Sequence, residues 1–417
     1  MLRPSLKQIH SIAPELILNT EAFYGLPPNV EFCSNCVISN QRPSSTVEFG
    51  SDRKDKKSTI AFRDGLCSAC AFAQEKDINI DWKQRDDRLR EMLSRFKRND
   101  GRYDVIVPGS GGKDSAYTAH ILKYEYGMNP LTVTWAPHLY TDIGWKNFSS
   151  WMHVGGLDNI LYTPNGRLHR LLTRLAFLNL LHPFQPFIVG QRIIGPAMAA
   201  RFEVPLVMYG ENQAEYGNNV EDNHRPTMDP AFYSTSETLD MKFGGVTMRD
   251  IIDEYGFTLG DFAPYIPPTR ETLEKAGIEV HYLGYYLKWD PQECYYYAVE
   301  NTGFQANPER TEGTYSKYSS IDDRIDPFHY YTTLVKFGLG RASYDAAQEV
   351  RNGKITREEA VNLVHKFDQE FPAKYFQEFL DYIDINEAEF HETVDRYRSP
   401  HLWHKIDGVW KLRHEIS

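Results

Sequence analysis

Residues 103–115 read Tyr103-Asp104-Val105-Ile106-Val107-Pro108-Gly109-Ser110-Gly111-Gly112-Lys113-Asp114-Ser115, and an amphipathic stretch follows them. This order of an apolar run, a glycine-rich turn and an amphipathic segment predicts a strand, a loop and a helix. Because glycine has no Cβ atom, backbone N–H groups in such a loop can approach an anion closely, and the positive end of the helix adds to the attraction. The stretch therefore predicts a phosphate grip and the use of a nucleotide.

Two common phosphate motifs do not fit this loop. A Walker A loop needs Gly-Lys followed by Ser or Thr for magnesium, whereas Gly112-Lys113 is followed by Asp114. The glycine spacing also differs from that of a Rossmann fingerprint. The loop is therefore either a phosphate-binding loop of another class or a glycine-rich turn that binds no ligand.

The string Ser110–Ser115 resembles the SGGxDS loop of the ATP-pyrophosphatase (PP-loop) superfamily, whose members cleave ATP between the α and β phosphates. The resemblance implies ATP and Mg²⁺ as cofactors, with Lys113 near the leaving charge and Asp114 near the loop or its magnesium. The residues implied to hold pyrophosphate are Ser110, Gly111, Gly112 and Ser115.

Length and composition exclude several classes of protein. A chain of 417 residues is expected to form two or three domains, and 41% hydrophobic with 25% charged residues is typical of soluble globular proteins. We find no apolar run of the roughly 20 residues that span a bilayer and no signal peptide, so we expect a cytoplasmic protein without a membrane contact. The net charge of −11 does not favour nucleic acid as a partner.

Four of the five cysteines form two CxxC pairs, Cys33-Ser34-Asn35-Cys36 and Cys67-Ser68-Ala69-Cys70. Two such knuckles can present four thiolates in a tetrahedron, which suits Zn²⁺, and a closed site of this kind holds a small domain together. Disulfides are disfavoured in a reducing cytosol. An iron–sulfur cluster and redox-active thiols remain as alternatives.

Strand and helix signals alternate after residue 102, which predicts a parallel α/β domain. The predicted strands are Tyr103–Val107, Leu131–Trp135, Asn159–Tyr162 and Pro205–Tyr209, and the predicted helices lie at about 115–126, 144–155, 167–182 and 190–203. Because ligands of such sheets bind beyond the carboxyl ends of the strands, one crevice is expected to collect residues 110–115, 135–138 and 210–215, with Thr134 among the nucleotide-binding residues.

Two further segments carry candidate site residues. Glu211, in the polar turn 209–217, is predicted to help hold Mg²⁺ or to bind an acceptor, the alternative being a solvated turn. The segment Lys336–Ser343 places a lysine and an arginine around a glycine turn, a second plausible phosphate grip. We expect Ser343 to be an N-cap, Gly353 to end that helix, Thr356–Glu359 to be a capping box, and the rest of the chain to be helical.

The expected organisation has four parts. These are an N-terminal extension (1–30), a zinc-knuckle module with a linker helix (31–100), the ATP-binding domain (101–342) with an insertion or lid at about 218–270, and a C-terminal helical region (343–417). The charged run 51–58 is expected to be a solvated loop. The linker helix carries an apolar stripe at Leu89, Met92, Leu93 and Phe96, and its arginines offer contact with RNA as an alternative role.

With the knuckles and the loop together, the chain resembles the N-acetyl sugar amidotransferases of bacterial surface-glycan biosynthesis from about Cys33 to Val364. The matching segments are the two CxxC pairs, Arg42-Pro43, Gly109–Ser115, Tyr209–Gly217, Leu283–Asp290, Lys336–Arg341 and Arg351–Arg357. Departures are the additional residues before Phe32 and a long link between the knuckles.

The resemblance implies an ATP-dependent conversion of an acetamido group into an acetamidino group through an O-adenylyl imidate, releasing AMP and pyrophosphate. The implied acceptor is an acetamido sugar: a nonulosonic acid of the pseudaminic or legionaminic type, or a nucleotide-linked diacetamido uronic acid. The residues expected to act in catalysis are Lys113, Asp114, Glu211, Lys336 and Arg341.

The ammonia for such a reaction needs a source. A glutaminase uses a nucleophilic cysteine, and Cys294, the fifth cysteine, lies in no recognisable nucleophile motif and is expected to be a small buried residue. The resemblance therefore implies separate partners, similar to the glutaminase and cyclase subunits of histidine biosynthesis. A zinc-containing tRNA thiolase and a noncatalytic interaction protein are the alternatives.

Overall fold

The computed structural model describes residues 25–43, 59–217 and 224–417. The charged run 51–58 and most of the predicted N-terminal extension lie outside the described residues. The elements before the central sheet are β1 (Phe62–Arg63), β2 (Leu66–Cys67), α1 (Ser68–Ile78) and α2 (Trp82–Phe96). Strands β1 and β2 form an antiparallel pair that carries the second cysteine knuckle.

The middle of the chain alternates strands and helices, as predicted. Its elements are β3 (Val105–Pro108), α3 (Lys113–Tyr124), β4 (Pro130–Trp135), α4 (Asp142–His153), β5 (Asp158–Tyr162), α5 (Gly166–Leu180), α6 (Gln185–Phe202) and β6 (Leu206–Tyr209). All four predicted strands and all four predicted helices are confirmed, with bounds that differ by a few residues.

The remaining elements follow β6. They are β7 (Lys242–Phe243), β8 (Val246–Thr247), α7 (Met248–Tyr255), α8 (Arg270–Lys275), β9 (Glu279–Tyr282), α9 (Leu283–Tyr286), α10 (Pro291–Thr302), α11 (Asp326–Phe337), α12 (Arg341–Arg351), α13 (Arg357–Phe367), α14 (Phe376–Ile383), α15 (Glu387–Arg396), β10 (Trp403–Ile406) and β11 (Val409–Leu412).

One parallel five-stranded sheet organises these elements, in the order β5-β4-β3-β6-β9. Side chains alternate across it as a pleated strand requires. Ile106 and Val207 enter the main core on one face, while Val105, Val107 and Leu206 enter a second core on the other face. The predicted parallel α/β class is confirmed.

Two hydrophobic clusters tie the outer parts of the chain to this sheet. Leu89, Met92 and Leu93 of α2 are buried in the second core, so the predicted apolar stripe is confirmed. The four knuckle cysteines share a third cluster with apolar residues of α12 and α13, among them Ala346 and Ala360. The knuckle module therefore packs directly against the C-terminal helices.

Of the two alternatives predicted for 218–270, an insertion or a lid, the described residues 224–270 form an insertion. Its β7–β8 hairpin and α7 bury Phe243, Met248 and Ile251 completely in the main core. A Cβ on Gly244, where φ is +57°, would lie 2.5 Å from the backbone nitrogen of Ala176, so the hairpin is pressed onto α5. The segment is a packed insertion.

Two predictions about the C-terminal region are wrong. Ser343 is not an N-cap, because α12 begins two residues earlier and Asp368 accepts hydrogen bonds from the N–H groups of Gly340 and Ser343 and from the Ser343 hydroxyl, each at 2.8 Å. The chain is also not helical to its end, since β10 and β11 form an antiparallel hairpin. The capping box at Thr356 is confirmed.

Within residues 25–43, 59–217 and 224–417, no helix has both the length and the apolar character that crossing a bilayer requires.

Candidate active site

A cavity of about 360 Å³ lies where the glycine-rich loop after β3 faces α11 and α12. Four parts of the chain contribute to its walls. The polar and aromatic lining residues include Ser110, Gly111, Gly112, Lys113 and Asp114 of the loop, Glu211 and Tyr216 after β6, and Asp322, Asp326, Tyr330, Arg341, Tyr344, Asp345, Gln348 and Arg351 from the C-terminal third, together with Arg42 of the knuckle module.

The loop is shaped by two glycines, Gly109 and Gly111, that no other residue can replace without strain. Gly111 has φ +83°, and a Cβ there would lie 2.8 Å from the Cα of Phe148. A Cβ on Gly109 would lie 2.1 Å from the Cβ of Ser115. Gly112 is the N-cap of α3, whose first N–H groups have no acceptor inside the helix. The loop therefore presents unpaired donors and the positive end of a helix to the cavity, as an anion site requires.

Lys113 and Asp114 form a close ion pair at the start of α3. The ammonium nitrogen of Lys113 lies 2.7 and 2.6 Å from the two carboxylate oxygens of Asp114. Burial alone lowers the pKa of Lys113, but the carboxylates of Asp114 and Glu211 outweigh it and raise that pKa above its ordinary value. Lys113 therefore remains a cation at neutral pH, next to the loop.

Glu211 lies in the cavity wall at the end of β6. It accepts hydrogen bonds from the side-chain amide of Gln348, at 3.0 Å, and from the hydroxyl of Tyr216. Burial, and secondly the charge of Asp114, raises its pKa to about 8, although Lys113 acts in the opposite direction. A nearby cation would stabilise the ionised form of this buried carboxyl group. Carboxylate oxygens are also the ligands that Mg²⁺ prefers.

Arg341 stands among acids on the opposite wall. Its guanidinium lies 3.2 Å from a carboxylate oxygen of Asp326 and 3.1 Å from one of Asp345, and its Cζ lies 4.0 Å from the centre of the Tyr330 ring. Burial raises the pKa of Asp326 to about 8, against the effect of Arg341. Burial raises the pKa of Asp322, and Ser110 of the loop opposes this shift, so this acidic segment lies close to the glycines.

The structure brings most of the predicted residues together. Residues 110–114, Glu211 and Arg341 all line the cavity. Ser115 lies just behind the loop, where its hydroxyl donates to the Gly112 carbonyl at 3.1 Å.

Besides Ser115, two other predicted residues are not in this lining. Lys336 is buried and donates to the carbonyl of Leu180 at 3.1 Å, where a cation stabilises the C-terminal end of α5. Thr134 is also buried, and its hydroxyl accepts a hydrogen bond from Asn159 at 2.9 Å. Glu215, from the same turn as Glu211, is paired with Lys76 at 2.9 Å and is likewise turned into the protein.

Sequence reasoning missed several cavity residues. The acids of the segment 321–326 form a visible cluster in the sequence, Ile321-Asp322-Asp323-Arg324-Ile325-Asp326, which offered a signal. Arg42 belongs to a segment that carries the family resemblance, but no role was assigned to it. Gln348 carries no motif at all, and only its contact with Glu211 reveals it.

The four knuckle cysteines form a compact buried cluster whose candidate ligand atoms all lie within 4.8 Å of one another. The sulfur atoms of Cys36 and Cys67 are 3.8 Å apart, which matches the edge of a tetrahedron with Zn–S bonds of about 2.3 Å. The backbone N–H of Cys67 and the amide of Asn35 donate to the sulfurs of Cys33 and Cys70, each at 3.4 Å. These residues fit a structural zinc ion, and the site lies apart from the loop.

Comparison with known proteins gives one family. Residues 312–416 match the model described as "LPS biosynthesis protein WbpG-like, C-terminal domain". No curated protein matches the chain. Among solved structures, NMN synthetase from Francisella tularensis is similar at 11% identity over 75% of this chain and 97% of that one, with a TM-score of 0.26. The matched residues 312–416 supply α11, α12 and one wall of the cavity, so this part of the chain is similar to the C-terminal domain of WbpG-like LPS biosynthesis proteins.

Proposed function

We propose that this chain is an ATP-dependent, AMP-forming amidotransferase that converts the acetamido group of a surface-glycan sugar into an acetamidino group. One observation carries the proposal: the glycine-rich loop Ser110–Asp114 faces the family-matched domain across a single cavity. A phosphate-binding loop on one wall and a domain similar to LPS biosynthesis proteins on the other support an enzyme that uses ATP to modify a sugar.

The chemistry explains why such a reaction needs ATP. An amide is stabilised by the resonance that also gives peptide bonds a rotation barrier of ~18–20 kcal/mol, so ammonia does not displace its oxygen. In the proposed first step the acetamido oxygen attacks the α-phosphorus of ATP. The α–β phosphoanhydride bond breaks, the amide N–H releases its proton to water, and an O-adenylyl imidate and pyrophosphate result.

In the second step ammonia adds to the activated carbon. The carbon–oxygen bond then breaks and AMP leaves with the former amide oxygen. The sugar keeps a C=NH group in place of C=O, so its mass changes by the replacement of O with NH.

Charge complementarity assigns roles to the lining residues. The N–H groups and hydroxyl of the loop Ser110–Gly112 hold the pyrophosphate, and the ammonium of Lys113 stabilises its developing charge. Arg341 orients the opposite wall through its acid partners. Asp114 and Glu211 supply oxygen ligands suited to Mg²⁺, which would neutralise phosphate charge when bound.

The ammonia is proposed to come from a separate glutaminase through a channelling partner. Cys294 is 2% exposed, and burial raises the pKa of its thiol, which makes it a poor nucleophile. Among the described residues no cysteine lines the cavity. The same observation weighs against the tRNA thiolase, since sulfur transfer needs a reactive thiol or a cluster at the site. Because ATP is the substrate, we place the reaction in the cytoplasm.

The experiment is mass spectrometry of acetamido sugars incubated with the purified chain, ATP, Mg²⁺ and ammonium. We expect AMP, pyrophosphate and a sugar in which O is replaced by NH. Glutamine in place of ammonium is expected to give no product with this chain alone. ADP as the product contradicts the proposal, and tRNA retained in a salt-dependent pull-down favours the thiolase.

A further inference from the structure

Arg42 reaches the cavity from the knuckle module, a part of the chain outside the nucleotide domain. It lies six residues after Cys36, and its backbone is held on both sides: its N–H donates to Ser39, and its carbonyl accepts from Ile60 at 3.1 Å. The preceding Gln41 donates to the carbonyl of Pro27 at 3.0 Å. The chain that leaves the first knuckle is therefore anchored, and Arg42 stands at its end.

The side chain of Arg42 is buried against aromatic rings. The residue is 5% exposed, and its Cζ lies 4.7 Å from the centre of the Tyr344 ring and 5.8 Å from that of Tyr216. Burial lowers the pKa of Arg42, and the charge of Arg351 acts in the same direction, while Tyr344, Cys67 and Cys36 oppose the shift. In the part of the chain that the structure describes, no carboxylate or carbonyl pairs with this guanidinium.

The other two arginines of the cavity have hydrogen-bond acceptors among the described residues. Arg341 is paired with two carboxylates. One guanidinium nitrogen of Arg351 donates to the carbonyl of Glu215 at 3.1 Å, while its Nε and Nη1 have no partner. Arg42 is the one of the three whose guanidinium contacts ring faces and makes no hydrogen bond to a carboxylate or carbonyl of the described residues.

A buried cation without an anion is costly, and a guanidinium presents five N–H donors in a planar fork that fits carboxylate and phosphate oxygens. We propose that Arg42 binds an anionic oxygen of the cavity's ligand, a phosphate of the nucleotide or the carboxylate of an acidic sugar, and that the knuckle module serves to deliver it. Only the naming of these ligands rests on the proposed function. Arg42 is a binding residue for whichever of the two anions it meets.

The test measures binding, so it does not depend on turnover. Calorimetric titration compares wild-type protein with Arg42→Met, using an ATP analogue with a methylene bridge between the α and β phosphorus atoms, N-acetylneuraminic acid, and its methyl ester. We expect at least about tenfold weaker binding of one anionic probe by the variant, since a charge-assisted hydrogen bond is lost. A loss confined to the analogue identifies the nucleotide, and a loss for the acid but not its ester identifies the carboxylate.

The matched control is Arg63→Met, which removes an exposed arginine of the same module and is expected to leave every affinity within about twofold. Zinc content and the unfolding transition are measured for each protein. If Arg42→Met loses zinc, Arg42→Gln, which keeps a polar side chain, is scored in its place.

A variant that retains zinc and binds each probe as tightly as wild type overturns the proposal. Wild-type protein that binds none of the probes contradicts this proposal and the proposed function together. If binding depends on Arg42 but no amidine forms, the role of Arg42 is supported and only the proposed function is contradicted.

Discussion

The side-chain amide of Gln348 donates to the carboxylate of Glu211 at 3.0 Å, and this bond joins α12 to the end of β6. One turn further along α12, Arg351 donates to the carbonyl of Glu215 at 3.1 Å. The family-matched domain is therefore fastened to the carboxyl edge of the sheet by one helix. This domain therefore forms part of the cavity wall.

Glu211 predicts how stability depends on pH. Its folded pKa of about 8 exceeds its ordinary value of 4.5, so between these pH values the folded state holds a proton that the unfolded state releases. Stability of the wild type should therefore fall as the pH rises from about 4.5 to 8. Glu211→Gln, which is neutral throughout, should be more stable than wild type at pH 8 by up to about 4 kcal/mol and nearly equal to it near pH 4.5.

Urea unfolding at a series of pH values measures this difference. The exposed Glu271 on α8, changed to Gln, is the matched control and should leave the profile of the wild type unchanged. Parallel profiles for wild type and Glu211→Gln are the result that would refute the raised pKa.

Lys113 is predicted to be essential for the ATP-dependent step. Lys113→Met should lower the turnover rate by a factor of roughly 10²–10³, as removal of a charge-stabilising group does elsewhere. Lys123 lies on the same helix, outside the cavity lining, and Lys123→Met should stay within about threefold of wild type. Release of AMP provides the assay, and equal rates for the two variants would remove Lys113 from the mechanism.

The two central glycines of the loop are predicted to respond differently to alanine. Gly111→Ala places a Cβ at φ +83° and 2.8 Å from backbone, so it should cost roughly 1–3 kcal/mol of stability. Gly112 has φ −66°, and its Cβ would meet nothing closer than the Ser110 hydroxyl at 3.6 Å. Gly112→Ala should thus fold normally but bind the ATP analogue more weakly. The prediction fails if Gly111→Ala unfolds at the urea concentration of the wild type.

The knuckle cysteines are predicted to hold about one zinc ion per chain. Cys67→Ser should lose the metal and loosen the packing of α12 and α13, because the thiolates share a hydrophobic cluster with these helices. Cys294→Ser, at a cysteine outside the cluster, should keep its zinc. Elemental analysis and thermal unfolding check both statements, and iron in place of zinc would revive the cluster alternative.

Arg341 is predicted to be needed for activity, whereas Lys336 is predicted to contribute only to stability. Arg341→Met strands the buried carboxylates of Asp326 and Asp345, so it should cost roughly 3–5 kcal/mol and abolish activity. Lys336→Met should cost about 1 kcal/mol and leave the turnover rate near that of the wild type, since Lys336 contacts the Leu180 carbonyl outside the cavity lining. A large loss of turnover in folded Lys336→Met would restore its predicted role at the phosphates.

The parts of the fold that local sequence determines could be predicted. The loop at Ser110–Ser115 and the strands beside it carry short-range signals, namely glycines, apolar runs and helix periodicity. The edge strand β9 was not predicted because two of its four residues, Glu279 and His281, are polar. In the structure their side chains hydrogen-bond each other at 2.8 Å. The insertion at 224–270 lacks clear periodicity, yet tertiary packing buries it.

The candidate site could be predicted only in part. Motif residues such as Lys113 and Glu211 line the cavity, because the ends of parallel strands meet at one edge. Lys336 lies outside this lining, since a helix rotates its side chains by about 100° per residue and the sequence does not fix which side faces the cavity. Arg42 and Gln348 enter through contacts between distant segments, which no local pattern encodes.

The most direct measurement follows the oxygen of the acetamido group. An acceptor sugar labelled with ¹⁸O at that carbonyl is incubated with the chain, ATP, Mg²⁺ and ammonium, and the products are weighed by mass spectrometry. The account predicts that the label moves into AMP while the sugar gains NH in place of O. Label that remains in the sugar, or a nucleotide product that is ADP, would contradict it.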